Sequence, residues 1–198
     1  DLYRFTPQAA AVSPREKQSH EEMLKRAAGI IAVSASTKKE ILDHFPSVRE
    51  ERIHVVHHGV EERFHPRDPV RVSAVLARYG IRKPYLLHVG CLETRKNLLR
   101  LLRAFSRVRE QRKEPLMLVL AGSRGEGADE VSRALRALPP QHPVLCTGFV
   151  PREDLPFLYT GAQIFLYPSL HEGFGLPVLE AMACGTPVVT SHVTSLPE

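Results

Sequence analysis

Two glutamates, Glu172 and Glu180, are separated by seven residues in the run His171-Glu172-Gly173-Phe174-Gly175-Leu176-Pro177-Val178-Leu179-Glu180. Pro177 suits a first helical position, where its missing N–H costs nothing, and Gly185 suits the left-handed residue past a helix end. A short helix from about Leu176 to Cys184 is therefore expected. Gly173 and Gly175 carry no side chains that would block a ligand, so backbone N–H groups and the helix dipole can face an anion such as a diphosphate. A carboxylate beside phosphate is repelled, so each glutamate is better suited to accept hydrogen bonds from sugar or ribose hydroxyls. The run reads as a cradle for a nucleotide sugar.

A second charged feature lies upstream. Lys96 follows a strand and a turn, so its ammonium could reach a diphosphate, and Arg95 adds a planar fork of donors. Cations are unfavourable at a helix N-terminus unless an anion binds there. For Arg95, projection into solvent is an open alternative. Metal ligation has no such pattern: the chain contains no Asp-x-Asp, and His171-Glu172 does not begin His-Glu-x-x-His because position 175 is glycine. His57 and His58 are adjacent and would diverge on extended backbone; a domain junction is the place expected for them. Metal-free chemistry follows, in which amides and Lys96 neutralise a leaving group.

The elements that must hold these residues show as apolar runs. Tyr85 to Val89, Leu116 to Ala121, Val144 to Cys146, Ile164 to Tyr167 and Pro187 to Thr190 alternate with helical patterns, which predicts a parallel sheet covered by helices. The helix over Asn97 to Lys113 is the best marked, with Leu98, Leu101, Leu102, Phe105 and Val108 at helical spacing and Asn97 as a cap. Earlier, Gly29 to Ser34 and Arg52 to Val56 read as strands with a helix from Thr37 to His44 between them. The stretch Phe64-His65-Pro66-Arg67-Asp68-Pro69 is polar with two prolines and reads as a connection between domains.

Composition narrows the partners. With 198 residues and 43% hydrophobic content the chain can bury a sizeable core, and no run approaches the roughly 18 apolar residues of a membrane helix. The net charge of +5 favours an anionic ligand only modestly. Arg100, Arg103, Arg107 and Arg112 form one helix face, which reads as solvated surface; without interleaved aromatics it gives no nucleic-acid partner. Gly122, Gly125 and Gly127 have neither the dinucleotide order nor a Gly-Lys-Ser/Thr. Cys91, Cys146 and Cys184 are widely spaced and read as free thiols of a cytoplasmic protein.

Taken with the Glu172 to Glu180 run, five further segments resemble the retaining family-four glycosyltransferases in order and interval. They are His88-Val89-Gly90 with Arg95-Lys96-Asn97, Leu120-Ala121-Gly122, Gly148-Phe149-Val150 and Tyr167-Pro168-Ser169. The resemblance implies a GT-B fold, in which two Rossmann-like domains of parallel sheet with helices on both faces look at each other across a cleft. It places residues 1–59 in the later part of the acceptor domain, 60–79 in the connection and 80–198 in a donor domain cut short at its C-terminus. Asp1-Leu2-Tyr3 resembles the family's His-Asp-Leu segment without its histidine, so the chain is expected to be a fragment truncated at both ends and inactive alone.

The resemblance also assigns roles. Lys96 matches the phosphate-binding lysine, Glu172 the glutamate near donor sugar and leaving phosphate, and Glu180 the ribose-binding glutamate. Gly173, Phe174, Gly175 and Leu176 match the loop whose amides hold sugar or phosphate. Gly90 lies in the donor loop, followed by Cys91 where many relatives carry arginine. Val150 matches a position whose backbone meets the base, core packing being the alternative for its side chain. The implied activity is hexosyl transfer with retention from a nucleoside diphosphate sugar to a glycan or lipid-linked acceptor, without a cofactor. The Arg-Lys-Asn and Tyr-Pro-Ser pattern is similar to that of mannosyltransferases using GDP-mannose. Peripheral association of the full-length protein with a membrane surface is a further expectation. A sugar-nucleotide epimerase of the same fold and a non-catalytic sugar-nucleotide binding fragment are the alternatives.

Overall fold

The computed structural model describes residues 13–198, which form two compact units. Residues 13–59, 171–175 and 192–198 make the smaller one, and residues 60–170 and 176–191 the larger. The Asp1-Leu2-Tyr3 segment lies outside the described residues.

In the smaller unit, helix α1 (Pro14–Arg26) begins at a reciprocal cap in which Ser13 and Glu16 bond each other's backbone N–H. Strands β1 (Ile30–Ala32) and β2 (Ile53–Val55) pair in parallel with Ile30 opposite Ile53, so the chain must cross over between them, through α2 (Ala35–His44). Ile30, Ala32, Ile41, Phe45, Val48 and Ile53 form the core under this crossover. The Ser34 hydroxyl accepts from Thr37 N at 2.9 Å, and the Glu198 carboxylate takes the α2 amides of Ala35 and Ser36 at 2.7 and 2.8 Å. These are donors a helix start leaves without internal partners. On the opposite face of the strand pair Ile31 is 71% exposed and Val56 53%, the apolar surface that a two-stranded sheet cannot cover by itself.

The larger unit is a five-stranded parallel sheet of β3 (Tyr85–Val89), β4 (Met117–Ala121), β5 (Val144–Gly148), β6 (Ile164–Tyr167) and β7 (Val188–Thr190), in the order β5-β4-β3-β6-β7. Helices α3 (Pro69–Arg78), α4 (Leu98–Gln111), α5 (Ala128–Arg136), α6 (Leu155–Gly161) and α7 (Leu176–Ala183) cover its faces. This is the Rossmann-like α/β architecture expected from the alternating runs. Leu98, Leu101, Leu102 and Phe105 of α4 enter the core against Leu118 and Leu120 of β4.

Three local expectations are corrected. Asn97 adopts φ 56° and makes no side-chain cap; its Nδ2 instead donates to the Pro168 carbonyl at 3.2 Å. Val108 is 42% exposed, because α4 lies over β3 and β4 and leaves an apolar groove of about 460 Å³ beside β6 and β7, lined by Val108, Ile164, Leu166 and Val189. The connection expected over 60–79 contains α3. Asp68 accepts from the amides of Val70 and Arg71, Pro69 opens the helix, and Val72, Val75 and Leu76 are buried. Arg78 and Tyr79 then fasten α3 to α6 through the Asp154 carboxylate at 2.7 and 2.6 Å.

Candidate functional site

From β3 the chain proceeds to β4 and β5 on one side, then returns to β6 and β7 on the other. The loops leaving β3 and β6 therefore diverge, and such a switch point opens a crevice beyond the carboxyl ends of the strands. At this place the Lys96 ammonium, on a residue 6% exposed, donates to the Tyr167 hydroxyl at 2.7 Å. Tyr167 ends β6 and stacks with Phe165 and His88 at 5.6 and 5.7 Å. Burying a long cationic side chain is costly, so its position needs polar support. Gly90 leaves β3 at φ 153°, and a Cβ on it would stand 3.4 Å from Lys96 Cε. Gly122, the matching residue after β4, lies so close to the β3 loop that a Cβ would sit 2.1 Å from the Gly90 carbonyl oxygen.

Arg95 neither reaches freely into solvent nor stands unopposed: its guanidinium donates to Glu93 at 2.7 Å with the side chain 17% exposed. Cys91 is an exposed thiol.

Glu180 is carried by α7 and is 7% exposed. Tyr159 donates to its Oε2 at 3.0 Å and Arg152 to its Oε1 at 3.3 Å. Burial pushes this carboxyl above the usual range, against the opposing pull of the Tyr159 hydrogen bond and the Arg152 charge. Val150 is buried, so its side chain belongs to the core as the alternative reading had it, and the strand end leads through it to Arg152. Helix α7 runs from Leu176 to Ala183, with Pro177 in its first turn and Gly185 at φ 77° just past its end, as the sequence predicts.

The loop holding Glu172 belongs to the smaller unit. The Thr194 hydroxyl accepts from Glu172 N at 3.0 Å and the Ser195 hydroxyl donates to Glu172 O at 2.8 Å, so both sides of its backbone are held. Gly173 O accepts from Thr37 at 3.0 Å, and Phe174 meets the rings of His57 and His58 at 5.8 and 5.2 Å. Beside Gly173 a Cβ would find only Thr37 Oγ1, at 3.8 Å, so this backbone is open to a ligand. Gly175 at φ 105° turns the chain toward Leu176.

The expected residues thus form three groups: Gly90, Arg95 and Lys96 after β3; Glu180 with Val150 nearby in sequence to its partner Arg152; and Glu172 to Gly175 in the smaller unit. Sequence reasoning missed Tyr159 and Arg152, and it used Tyr167 only as part of a motif. An apolar run ending in tyrosine was the one available signal for the last. Among the described residues no three histidine, cysteine, aspartate or glutamate side chains are grouped to hold a metal ion.

Comparison with known proteins gives a consistent result. Residues 77–198 match the family model described as glycosyl transferases group 1, and residues 2–64 match that of glycosyltransferase family 4. The chain is 39% identical over 184 residues to O-antigen chain mannosyltransferase B of Escherichia coli, spanning 92% of this chain and 48% of that protein. It is 32% identical over 180 residues to the serotype-specific mannosyltransferase WbdA of Escherichia coli, spanning 88% of this chain and 22% of that one. Among solved structures, HepE of Anabaena in complex with UDP and glucose is similar in fold, with a TM-score of 0.79 at 22% identity over 93% of this chain and 50% of that one. The chain therefore spans about half the length, or less, of these proteins.

Proposed function

The chain belongs to the glycosyl transferases group 1, and from that premise we propose that it carries the nucleotide-sugar machinery of a retaining hexosyltransferase. The observation that carries this reading is the buried Lys96 ammonium held by Tyr167 at the switch point of a parallel sheet. A nucleoside diphosphate is the ligand such a cation and such a crevice suit. Departure of the diphosphate leaves an oxocarbenium-like sugar, so groups that meet the developing negative charge lower the barrier most. Lys96 is the charged group in that role, and the amides of Gly173, Phe174, Gly175 and Leu176, which run into the start of α7, are the neutral donors; Arg95 adds positive potential while paired to Glu93. Gly90 lets the phosphates approach the backbone. Glu180 accepts from the ribose hydroxyls, Val150 meets the base through its main chain, and Glu172 orients the sugar without attacking it. No metal ion or other cofactor is needed.

The relatives named as mannosyltransferases support a mannosyl donor, GDP-mannose, and a glycan or lipid-linked acceptor for the longer protein. That protein would work in the cytoplasm, at the membrane surface where a lipid-linked acceptor lies; no described helix is long and apolar enough to cross a membrane. By itself the 198-residue chain should bind donor weakly and transfer sugar negligibly, because transfer depends on positioning donor and acceptor together. A thermal-shift panel of UDP, GDP, ADP and dTDP with their sugars tests the donor. Acceptor-dependent release of labelled diphosphate by the longer protein, with the anomeric configuration of the product, tests the reaction. Donor hydrolysis independent of acceptor, or an inverted product, would count against it.

A further inference from the structure

Arg152 stands between two carboxylates of the larger unit. Its guanidinium lies 2.5 Å from Glu61 and 3.3 Å from Glu180, and it covers the Phe64 ring at 5.8 Å. Glu180 is gripped at both oxygens, Oε1 by Arg152 and Oε2 by the Tyr159 hydroxyl. A carboxylate so held cannot rotate, yet each oxygen keeps a second lone-pair direction for another donor. Two oxygens fixed in one plane suit two neighbouring hydroxyls, as on the edge of a ribose.

Resting on the reading that Glu180 takes the ribose, we propose that Arg152 is the positioning residue of the nucleotide site: it aims Glu180 at the vicinal diol and is itself held by Glu61. The arginine also decides the form in which Glu180 works. Burial pushes the Glu180 carboxyl up, Tyr159 and Arg152 pull it down, and Glu61 pushes it up again. The Tyr159 phenol is driven well above its ordinary value and the Cys184 thiol, just past the end of α7, to about 11, so both stay neutral through the physiological range. Removing Arg152 therefore lets Glu180 take up a proton at higher pH, and a protonated carboxyl is the weaker acceptor for a hydroxyl.

Calorimetry of GDP and UDP, and of their 2′,3′-dideoxy analogues, tests this with wild type, Arg152→Met, Arg152→Lys, Glu61→Gln and Glu180→Gln from mildly acid to mildly alkaline pH. Arg152→Met should weaken the ribonucleotides about tenfold, a step worth one charge-assisted contact. The loss should grow as pH falls and be absent for the dideoxy analogues. Arg152→Lys should recover most of the affinity, and Glu61→Gln should give a smaller loss that does not grow as pH falls, because removing the Glu61 charge lowers the Glu180 carboxyl. Arg152 is half exposed, so Arg152→Met should fold, and Glu61→Gln gives a loss confined to the ribonucleotides without touching the arginine. Equal losses for ribo and dideoxy ligands, or a pH-independent loss on Arg152→Met, would overturn the role of Arg152 while Glu180→Gln still marks Glu180 as the ribose contact. If Glu180→Gln leaves ribonucleotide affinity unchanged, the ribose reading falls and this inference with it.

Discussion

Lys96, on the short 3-10 turn Thr94–Lys96 that follows β3, and Tyr167, the last residue of the neighbouring strand β6, meet in a 2.7 Å hydrogen bond, and Lys96 Cε lies 3.4 Å from where a Cβ on Gly90 would stand. The tyrosine is packed against the rings of His88 and Phe165, which restricts the hydroxyl that meets the ammonium. Lys96→Ala should weaken a nucleoside diphosphate by about 1.5–3 kcal/mol, the scale of a charge-assisted hydrogen bond, and leave the nucleoside nearly unaffected. Tyr167→Phe keeps the stack and removes the hydroxyl, and should cost about 0.5–1.5 kcal/mol with the same preference. Calorimetry on both ligands checks this; equal loss for nucleoside and diphosphate would remove Lys96 from the phosphate.

The two glutamates should separate by ligand. Glu180→Gln should weaken the free nucleotide, the ribose being its proposed partner, whereas Glu172→Gln should weaken mainly the sugar-bearing donor. Each is a change of about 1.5–3 kcal/mol if one charged hydrogen bond is lost. A Glu172→Gln variant that loses as much affinity for free diphosphate as for sugar nucleotide would refute the assignment.

Stability should move the other way at Glu180. Its carboxyl is raised by burial in the folded chain, so between the ordinary carboxylate value of 4.5 and the raised one the folded state holds a proton that the unfolded state has released. Stability contributed by this group is therefore present at low pH and lost as pH rises through that window. Glu180→Gln carries no charge, so its melting temperature should exceed that of wild type at neutral pH and the difference should shrink toward pH 4.5. A lower melting temperature for the variant at neutral pH would show that the Arg152 pair outweighs the burial.

Much of the framework of the candidate site was legible in the sequence because it is built from strongly marked strands. The apolar runs Tyr85 to Val89 and Ile164 to Tyr167 are the observed strands to the residue, and Gly185 closes its helix as its lack of a side chain allows. Helix α3 was hidden because the two prolines at 66 and 69 resemble a connection, although one of them opens the helix. Asn97 has the residue type of a cap, but the fold offers it the Pro168 carbonyl, a contact no local pattern encodes. Arg152 and Tyr159 were missed for the same reason. Their meaning comes from Glu180, 28 and 21 residues away in the chain.

Donor binding should survive metal removal. The positive potential in the proposed site comes from Lys96, Arg95 and backbone amides, and a helix start needs no cation to attract phosphate. EDTA should leave the nucleotide-induced rise in melting temperature unchanged, and magnesium or manganese should not increase it. Protection lost on chelation and regained with either ion would contradict a metal-independent site.

The close approach of the loops that follow β3 and β4 is a demanding backbone feature. Gly122 has φ 151°, and a Cβ there would stand 2.1 Å from the Gly90 oxygen and 2.6 Å from its carbonyl carbon, both backbone atoms that cannot swing away. Gly122→Ala should therefore displace the β3 loop and cost on the order of 3 kcal/mol. Gly59→Ala is the control, because a Cβ on Gly59 meets nothing within 4 Å; its effect should stay within about 0.5 kcal/mol. Because the displaced loop also carries Gly90 and leads to Lys96, Gly122→Ala should lose nucleoside diphosphate affinity beyond what its lowered stability explains, measured at a temperature where the variant is fully folded. Full affinity in a folded Gly122→Ala protein would mean that the spacing of these two loops is a matter of packing alone and that the diphosphate is held elsewhere.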